Sequence, residues 1–239
     1  MIETAENVAK EAGFTKEQQD EVALLRYQQY QAALADDRAF QRRYMAPITL
    51  RRGKKEIGKV EADEGIHPTT QEGLAKLAPV VPGGSVSFGS QTHPADGNAG
   101  LVITSEGRAR ELSAKPEVRV RVVAAAEARV EKGFMPKAVV PAARAVLAKA
   151  GIAIGDLKAI KTHNPFAVND LYFCKEFGLA LKSINNFGSP LVYGHPQGPT
   201  GMRLSIELIE ELVAAGGGYG LFSGCAAGDT AMALVVKVS

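Results

Sequence analysis

The feature that most limits how this chain can fold is a regular alternation of strand and helix signals that begins near residue 117. "EVRVRVVAAA" (117–126) reads as a strand, and "PAARAVLAKAG" (141–151) as a helix stopped by its glycine. "LKAIKTH" (157–163) is a second strand running into "NPFAVNDLYFCKEFG" (164–178), a helix with Pro165 near its first turn. After "GHPQGPTG" (194–201) a further helix is expected from about Met202 to Ala215, with Met202, Ile206, Ile209 and Val213 on one stripe. "GYGLFSGC" (218–225) and "TAMALVVKV" (230–238) read as two closing strands. Strands separated by helices imply an α/β layer, with parallel crossovers wherever neighbouring strands are parallel.

The first hundred residues lack that rhythm. Residues 3–12 read as a helix ended by Gly13, and "TKEQ" opens a second helix with Thr15 and Gln18 placed to form a capping box. Ala23, Tyr27, Tyr30 and Leu34 fall on one stripe of it. From "RRGKKEIGKVEADEG" (51–65) to about Pro82 the pattern is polar and irregular, so loops and short elements are expected. "SVSF" (85–88) and "AGLVITS" (99–105) read as buried strands around the loop "GSQTHPADGN". No short repeat or low-complexity segment interrupts the chain.

Composition excludes more than it suggests. A net charge of +2 gives no reason to expect nucleic acid or anionic lipid as the main partner. No apolar run has the length of a membrane span, and the N-terminus has no signal-peptide core. Two cysteines, Cys174 and Cys225, do not make a disulfide framework, and a reducing cytoplasm is the expected location. The four histidines (His67, His93, His163 and His195) show no metal-ligand spacing, so no metal site is expected.

Three stretches place a reactive side chain where a strand meets a loop or helix. These are "THNPF" with His163, "YGHPQGPTG" with His195, and "SGCAAGDT" with Cys225. Ligand crevices of α/β sheets form at such strand ends. Each has an ordinary reading: a cysteine among small residues is a compact hydrophobe, and a histidine in a glycine turn is a hydrogen-bonding loop residue. Their joint placement argues for a site without naming a reaction.

Order and spacing add a family resemblance over nearly the whole chain. "TAENVAKEAGFTKEQQDEVALLRYQ" looks like the segment that opens the loop domain of the thiolases, enzymes that make or cleave 3-oxoacyl-CoA. "LAKLAPVVPGGSVSFGSQTHPADGNAGLVITSE" is similar to a further thiolase block, and "HNPF" stands where the family carries NEAF, HEAF or HDCF. "NNFGSPLVYGHPQGPTGMR" and "CAAG" are similar to the family's GHP and C-terminal cysteine motifs. The resemblance implies a thiolase-like α/β fold, with a loop domain over 1–84, the last strands of an N-terminal domain over 85–112, and a complete βαβαβ-type C-terminal domain over 113–239.

It also implies roles. His195 would favour a thiolate on the family's nucleophilic cysteine and donate to a thioester oxygen. Cys225 would be the general acid and base at the α-carbon. His163 would serve an oxyanion hole with His195, and the Ala227 N–H would hold the oxygen of the other half-reaction. Ser90, Gln91, Thr92, His93, Phe166, Gly194 and Gly228 would border CoA or the acyl group. CoA enters as part of the substrate, and no separate cofactor is implied. Asp229 and Thr230 replace a Gly-Gln pair of the family and would narrow or re-polarise the acyl pocket; Pro165 replaces a small residue.

The family's nucleophile belongs to an elbow upstream of TAENVA that has no counterpart here, and Cys174 reads as a helix packing residue. The expectation is therefore a hetero- or homo-oligomer in which a second polypeptide supplies the nucleophile, with unpaired strands exposed where it docks. A truncated or nicked longer enzyme is the other origin. A non-catalytic acyl-CoA-binding or scaffold subunit is the alternative function. A decarboxylating ketosynthase would use both histidines but leave Cys225 unexplained.

Overall fold

A computed structural model describes all 239 residues. The chain opens with α1 (Ile2–Ala12), stopped by Gly13 at φ 74°, and α2 (Lys16–Ala33), which begins with the full Thr15–Gln18 capping box. Ala23 and Tyr30 of the expected stripe are buried, and Gln19 and Arg26 share that face. A short turn, α3 (Ala35–Arg38), leads to an antiparallel hairpin, β1 (Ile48–Arg52) and β2 (Lys55–Val60). The hairpin lies largely in the stretch from residue 51 whose pattern is polar and irregular, and no residue of it is buried. The tight turn at Gly53 (φ 60°) was the signal available.

After α4 (Gln71–Ala75) and before α5 (Glu106–Leu112), the two expected strands do not form. Residues 85–88 make only an isolated bridge, Pro79 to Ser87, and the Glu6 carboxylate accepts the Ser85 and Val86 amides. No backbone hydrogen bond involves residues 96–104, and Val102 and Ile103 are about four-fifths exposed, at 81% and 80%. A strand needs a neighbour, and the chain offers this segment none.

The remainder is the expected α/β layer. β3 (Val120–Arg129), α6 (Val139–Ala150), β4 (Leu157–His163), α7 (Ala167–Phe177), α8 (Pro190–Tyr193), α9 (Pro199–Ala214), β5 (Gly218–Ala226) and β6 (Thr230–Val238) follow in turn. The sheet order is β3-β6-β5-β4, with β4 and β5 parallel and the other pairs antiparallel. Alternation along the strands sends Leu221, Cys225, Ala231, Ala233 and Val235 into the larger core, with α6 and α7, and Ala159, Val236 and Val238 against α9.

The expected stripe of α9 is corrected. Leu204, Leu208 and Leu212 are its buried positions, joined by Glu207 and Glu211, while Met202 is exposed and Ile206, Ile209 and Val213 are half-buried. Both glutamates are buried because they have partners outside the helix: Tyr44 and Tyr193 for Glu207, which also pairs with Arg203 one turn back, and Lys161 and Asn186 for Glu211. No helix is long and apolar enough to cross a membrane.

Candidate active site

The parallel strands β4 and β5 end side by side, which brings His163 opposite Gly224 and next to Cys225. The end of β4 is unusually polar for a buried strand, and a network accounts for it. Asp170 of α7 accepts hydrogen bonds from Thr162 Oγ1 (2.6 Å), Asn164 Nδ2 (2.7 Å) and Arg26 Nε (2.8 Å). Asn185, in a left-handed conformation at φ 57°, accepts from the Thr162 amide and donates to its hydroxyl. Asn164 also donates to Ser189 Oγ (3.0 Å), which ties "HNPF" to the start of α8. A buried network this densely bonded, though Arg26 Nη2 has no partner in it, fixes the geometry of what it carries.

His163 Nδ1 lies 3.0 Å from the Cys225 carbonyl oxygen. A carbonyl only accepts, so Nδ1 bears the hydrogen and Nε2 of the neutral ring presents a lone pair. That Nε2 is buried with no partner in the chain. Burial, and then the neighbouring His195, push the His163 pKa down to about 4, against the pull of the Cys225 carbonyl. Sequence reading expected a His163 N–H for an oxyanion; in this geometry the free nitrogen donates only when the ring is an imidazolium.

His195 sits in the turn before α9, its ring centroid 4.4 Å from that of His163. Its Nδ1 pairs with Thr200 Oγ1 at 2.7 Å, and a hydroxyl that donates there leaves the hydrogen on Nε2. Burial lowers its pKa too, so both rings stand neutral near pH 7. Gly194, at φ 87°, is required here: a Cβ would meet Ala95 at 2.7 Å and the His93 ring at 2.9 Å.

The Cys225 thiol packs inside the larger core, 3.4 Å from Asn169 Nδ2 and 3.8 Å from His163 Nδ1. Burial pushes its pKa up to about 12, with the Asn169 hydrogen bond opposing. Cys174 is likewise pushed up to about 12 by burial and then by Asp170, and it lies within α7 away from the strand ends.

The loop 90–96 laces the two histidine segments together. Thr92 donates its amide to Pro165 O and its hydroxyl to Pro190 O, the Ala167 amide donates to Ser90 O, and Gln91 bridges Phe166. The His195 amide donates to His93 O at 2.9 Å. Ser90, Thr92 and Phe166, expected to border CoA, are engaged in this internal structure: Ser90 is fully buried against Ser87, and Phe166 is core. Gln91 and His93 are half-buried, and Gly194 is buried beneath them.

Ala227, Gly228 and Asp229 form the turn between β5 and β6. Ala227 is exposed and its amide donates to no group of the chain. Gly228 borders a hollow of about 430 Å³ with Met1, Asn7 and Lys132, which none of the histidines lines. The Asp229 carboxylate accepts the Gly133 amide (3.1 Å) and so shapes the turn. Asn169, Asp170 and Thr200 escaped sequence reading, since an amide, a carboxylate or a hydroxyl in the first turns of a helix ordinarily marks capping.

Comparison with known proteins supplies the context. Residues 116–238 match the family model described as "Thiolase, C-terminal domain", and residues 1–107 match "Thiolase, N-terminal domain". An acetyl-CoA acetyltransferase of Allochromatium vinosum is 36% identical over 99% of this chain and 60% of its own length. A beta-ketoadipyl-CoA thiolase of Acinetobacter baylyi is 32% identical over 99% of this chain and 59% of its own. Among solved structures, Bacillus anthracis acetyl-CoA acetyltransferase superposes with a TM-score of 0.90 at 32% identity, covering 99% of this chain and 59% of that one. Human mitochondrial 3-ketoacyl-CoA thiolase in complex with CoA gives 0.85 at 28%, covering 100% and 59%. The chain thus spans about three-fifths of the length of the relatives it matches.

Proposed function

The chain belongs to the thiolase family, and from that premise we propose that it supplies the acid/base and oxyanion-binding half of a site for thiolytic cleavage or Claisen condensation of 3-oxoacyl-CoA. The observation that carries this reading is the convergence of His163, His195 and Cys225 at the ends of two parallel strands, with a buried, unpartnered His163 nitrogen among them.

In the thiolytic direction a cysteine thiolate attacks the 3-oxo carbon, and the bond between the α- and β-carbons breaks toward the thioester. The electron pair becomes an enolate, and the Cys225 thiol protonates its carbon. A thiol pushed up to about 12 is fully protonated at neutral pH and so holds the proton this step needs. CoA thiol then attacks the acyl-enzyme, and its proton returns to the Cys225 thiolate. Synthesis runs the same steps backward, with the Cys225 thiolate removing the α-proton. When the Thr200 hydroxyl turns to accept from Nδ1–H, the Nε2 lone pair of the neutral His195 ring takes the nucleophile's proton, which makes the thiolate. The ring's Nε2–H then faces the thioester oxygen, and the free Ala227 amide serves the other carbonyl.

Cys174 cannot be the nucleophile, because it is buried in a helix with a raised pKa. We propose that the nucleophile comes from outside these residues, on a separate polypeptide. Denaturing intact-mass analysis of the natively purified assembly tests this: a 25.3 kDa species with a second, cysteine-bearing chain is expected. A single longer chain would overturn the separate-polypeptide part, and a 25.3 kDa species alone would favour a non-catalytic acyl-CoA-binding role. In the complete assembly, Cys225→Ser and His195→Ala are each expected to lower thiolysis at least a hundredfold. Near-normal turnover in either variant contradicts the assigned roles.

A further inference from the structure

The chemistry proposed above asks the Cys225 sulfur to carry a charge for part of the cycle, inside a core that disfavours it. The ionisable groups around it give that charge little help. His163 Nδ1 lies 3.8 Å from the sulfur, but its hydrogen goes to the Cys225 carbonyl oxygen at 3.0 Å. His195 packs against the His163 ring, and both are neutral near pH 7. Asp170 of α7, paired with Arg26 of α2, opposes a thiolate, and β6 sets only Ala231 opposite Cys225.

Asn169, wholly buried in the first turn of α7, is placed differently. Its Oδ1 accepts the Phe166 amide at 3.3 Å, and its own backbone amide donates to the Phe166 carbonyl at 3.0 Å. A backbone N–H only donates, so the side-chain oxygen must face Phe166 and the amino group must face away from it. There Nδ2 stands 3.4 Å from Cys225 Sγ. A thiol accepts weakly and a thiolate strongly, so this bond strengthens as the charge appears. A donor held in place beforehand needs no rearrangement at that moment.

We propose that Asn169 is a positioning residue for the acid/base step, its fixed amide N–H stabilising the Cys225 thiolate while the α-proton of the acyl-CoA is removed. The inference rests on the acyl-CoA reading above. In the condensing direction the S–H bond forms as the α C–H bond breaks, and the electron pair passes to the enolate. In thiolysis the same stabilised thiolate makes Cys225 a readier proton donor. Without the amide, the sulfur must become a bare charge among apolar side chains.

Alkylation of Cys225 by iodoacetamide in the purified assembly, followed peptide by peptide in a mass spectrometer at about pH 9, tests this without substrate; the rate follows the thiolate fraction. Cys174, the other buried thiol, reports any loosening of the fold. Asn169→Leu, branched but without a donor, is expected to slow Cys225 about tenfold. Asn169→Asp keeps an oxygen for the Phe166 amide and turns a carboxylate on the sulfur, so it is expected to slow Cys225 at least as much. Asn169→Gln, which retains an amide donor, is expected to stay within about threefold of the wild type. Cys174 is expected to keep its rate in all three. With the 3-oxoacyl-CoA that the wild type turns over fastest, Asn169→Leu is expected to lose about tenfold in kcat with KM within about twofold. A wild-type Cys225 rate in Asn169→Leu or Asn169→Asp, a slowing that Cys174 shares, or a loss confined to KM overturns the inference and leaves the acyl-CoA reading standing. If the wild-type assembly turns over no 3-oxoacyl-CoA of short, medium or long chain, the acyl-CoA reading itself falls.

Discussion

At His163 a single hydrogen bond decides what the ring can do. Because Nδ1 is committed to the Cys225 carbonyl, a second proton must go to the buried Nε2, and that happens only near pH 4. In the unfolded chain the same ring takes its proton near 6.5. Acid therefore favours the unfolded state from pH 6.5 downward, and this group's stabilisation is present above 6.5 and lost as pH falls toward 4. Between pH 7 and pH 5 the loss from this one group is about 2 kcal/mol. Urea unfolding of His163→Asn at those two pH values is expected to show that much less acid sensitivity than the wild type; an identical slope would mean His163 titrates normally. His163, His195 and Cys225 were legible in sequence because each stands at a strand-to-loop junction. Asn169 and Thr200 were not, because what sets them apart is a ring or thiol brought to them by the fold.

Among elements, the contact between α2 and α7 carries the largest electrostatic commitment. The Arg26–Asp170 pair is wholly buried, and Asp170 also holds Thr162 and Asn164 beside the site. Asp170→Ala leaves a guanidinium uncompensated, with an expected loss of about 3–5 kcal/mol in chemical denaturation. Replacing both partners, as Arg26→Met with Asp170→Leu, is expected to recover part of it; a double variant no better than the single would point to the Thr162 and Asn164 bonds instead. Helix ends were readable from sequence because Gly13, Gly151 and Gly178 all take the left-handed cap their positions require. The buried face of α9 was not readable, since Glu207 and Glu211 are buried against partners outside the helix, Tyr44 and Tyr193 for the first and Lys161 and Asn186 for the second.

For the whole molecule, the unpaired segment 96–104 sets the association behaviour. Val102 and Ile103 are exposed, and a cavity of about 700 Å³ lies between this segment and the β3 edge, lined by Leu101, Ile103, Val120 and Val122. Apolar surface with free backbone groups is a template for pairing. The isolated chain is therefore expected to self-associate in light scattering, and Val102→Lys with Ile103→Lys to reduce that while leaving its melting temperature within a degree or two. Unchanged association in the double variant would place the contact elsewhere. The α/β layer was legible because its strands find partners within the chain, and the two misread strands failed for want of them. The β1–β2 hairpin has the opposite character: it buries none of its own residues and turns at Gly53 and Lys54 in open solvent. That independence makes its tip a practical handle. A short affinity tag spliced between those two residues would leave the histidines, the apolar segment and both termini untouched, so a native assembly could be fished out intact by a loop that no part of the core relies on.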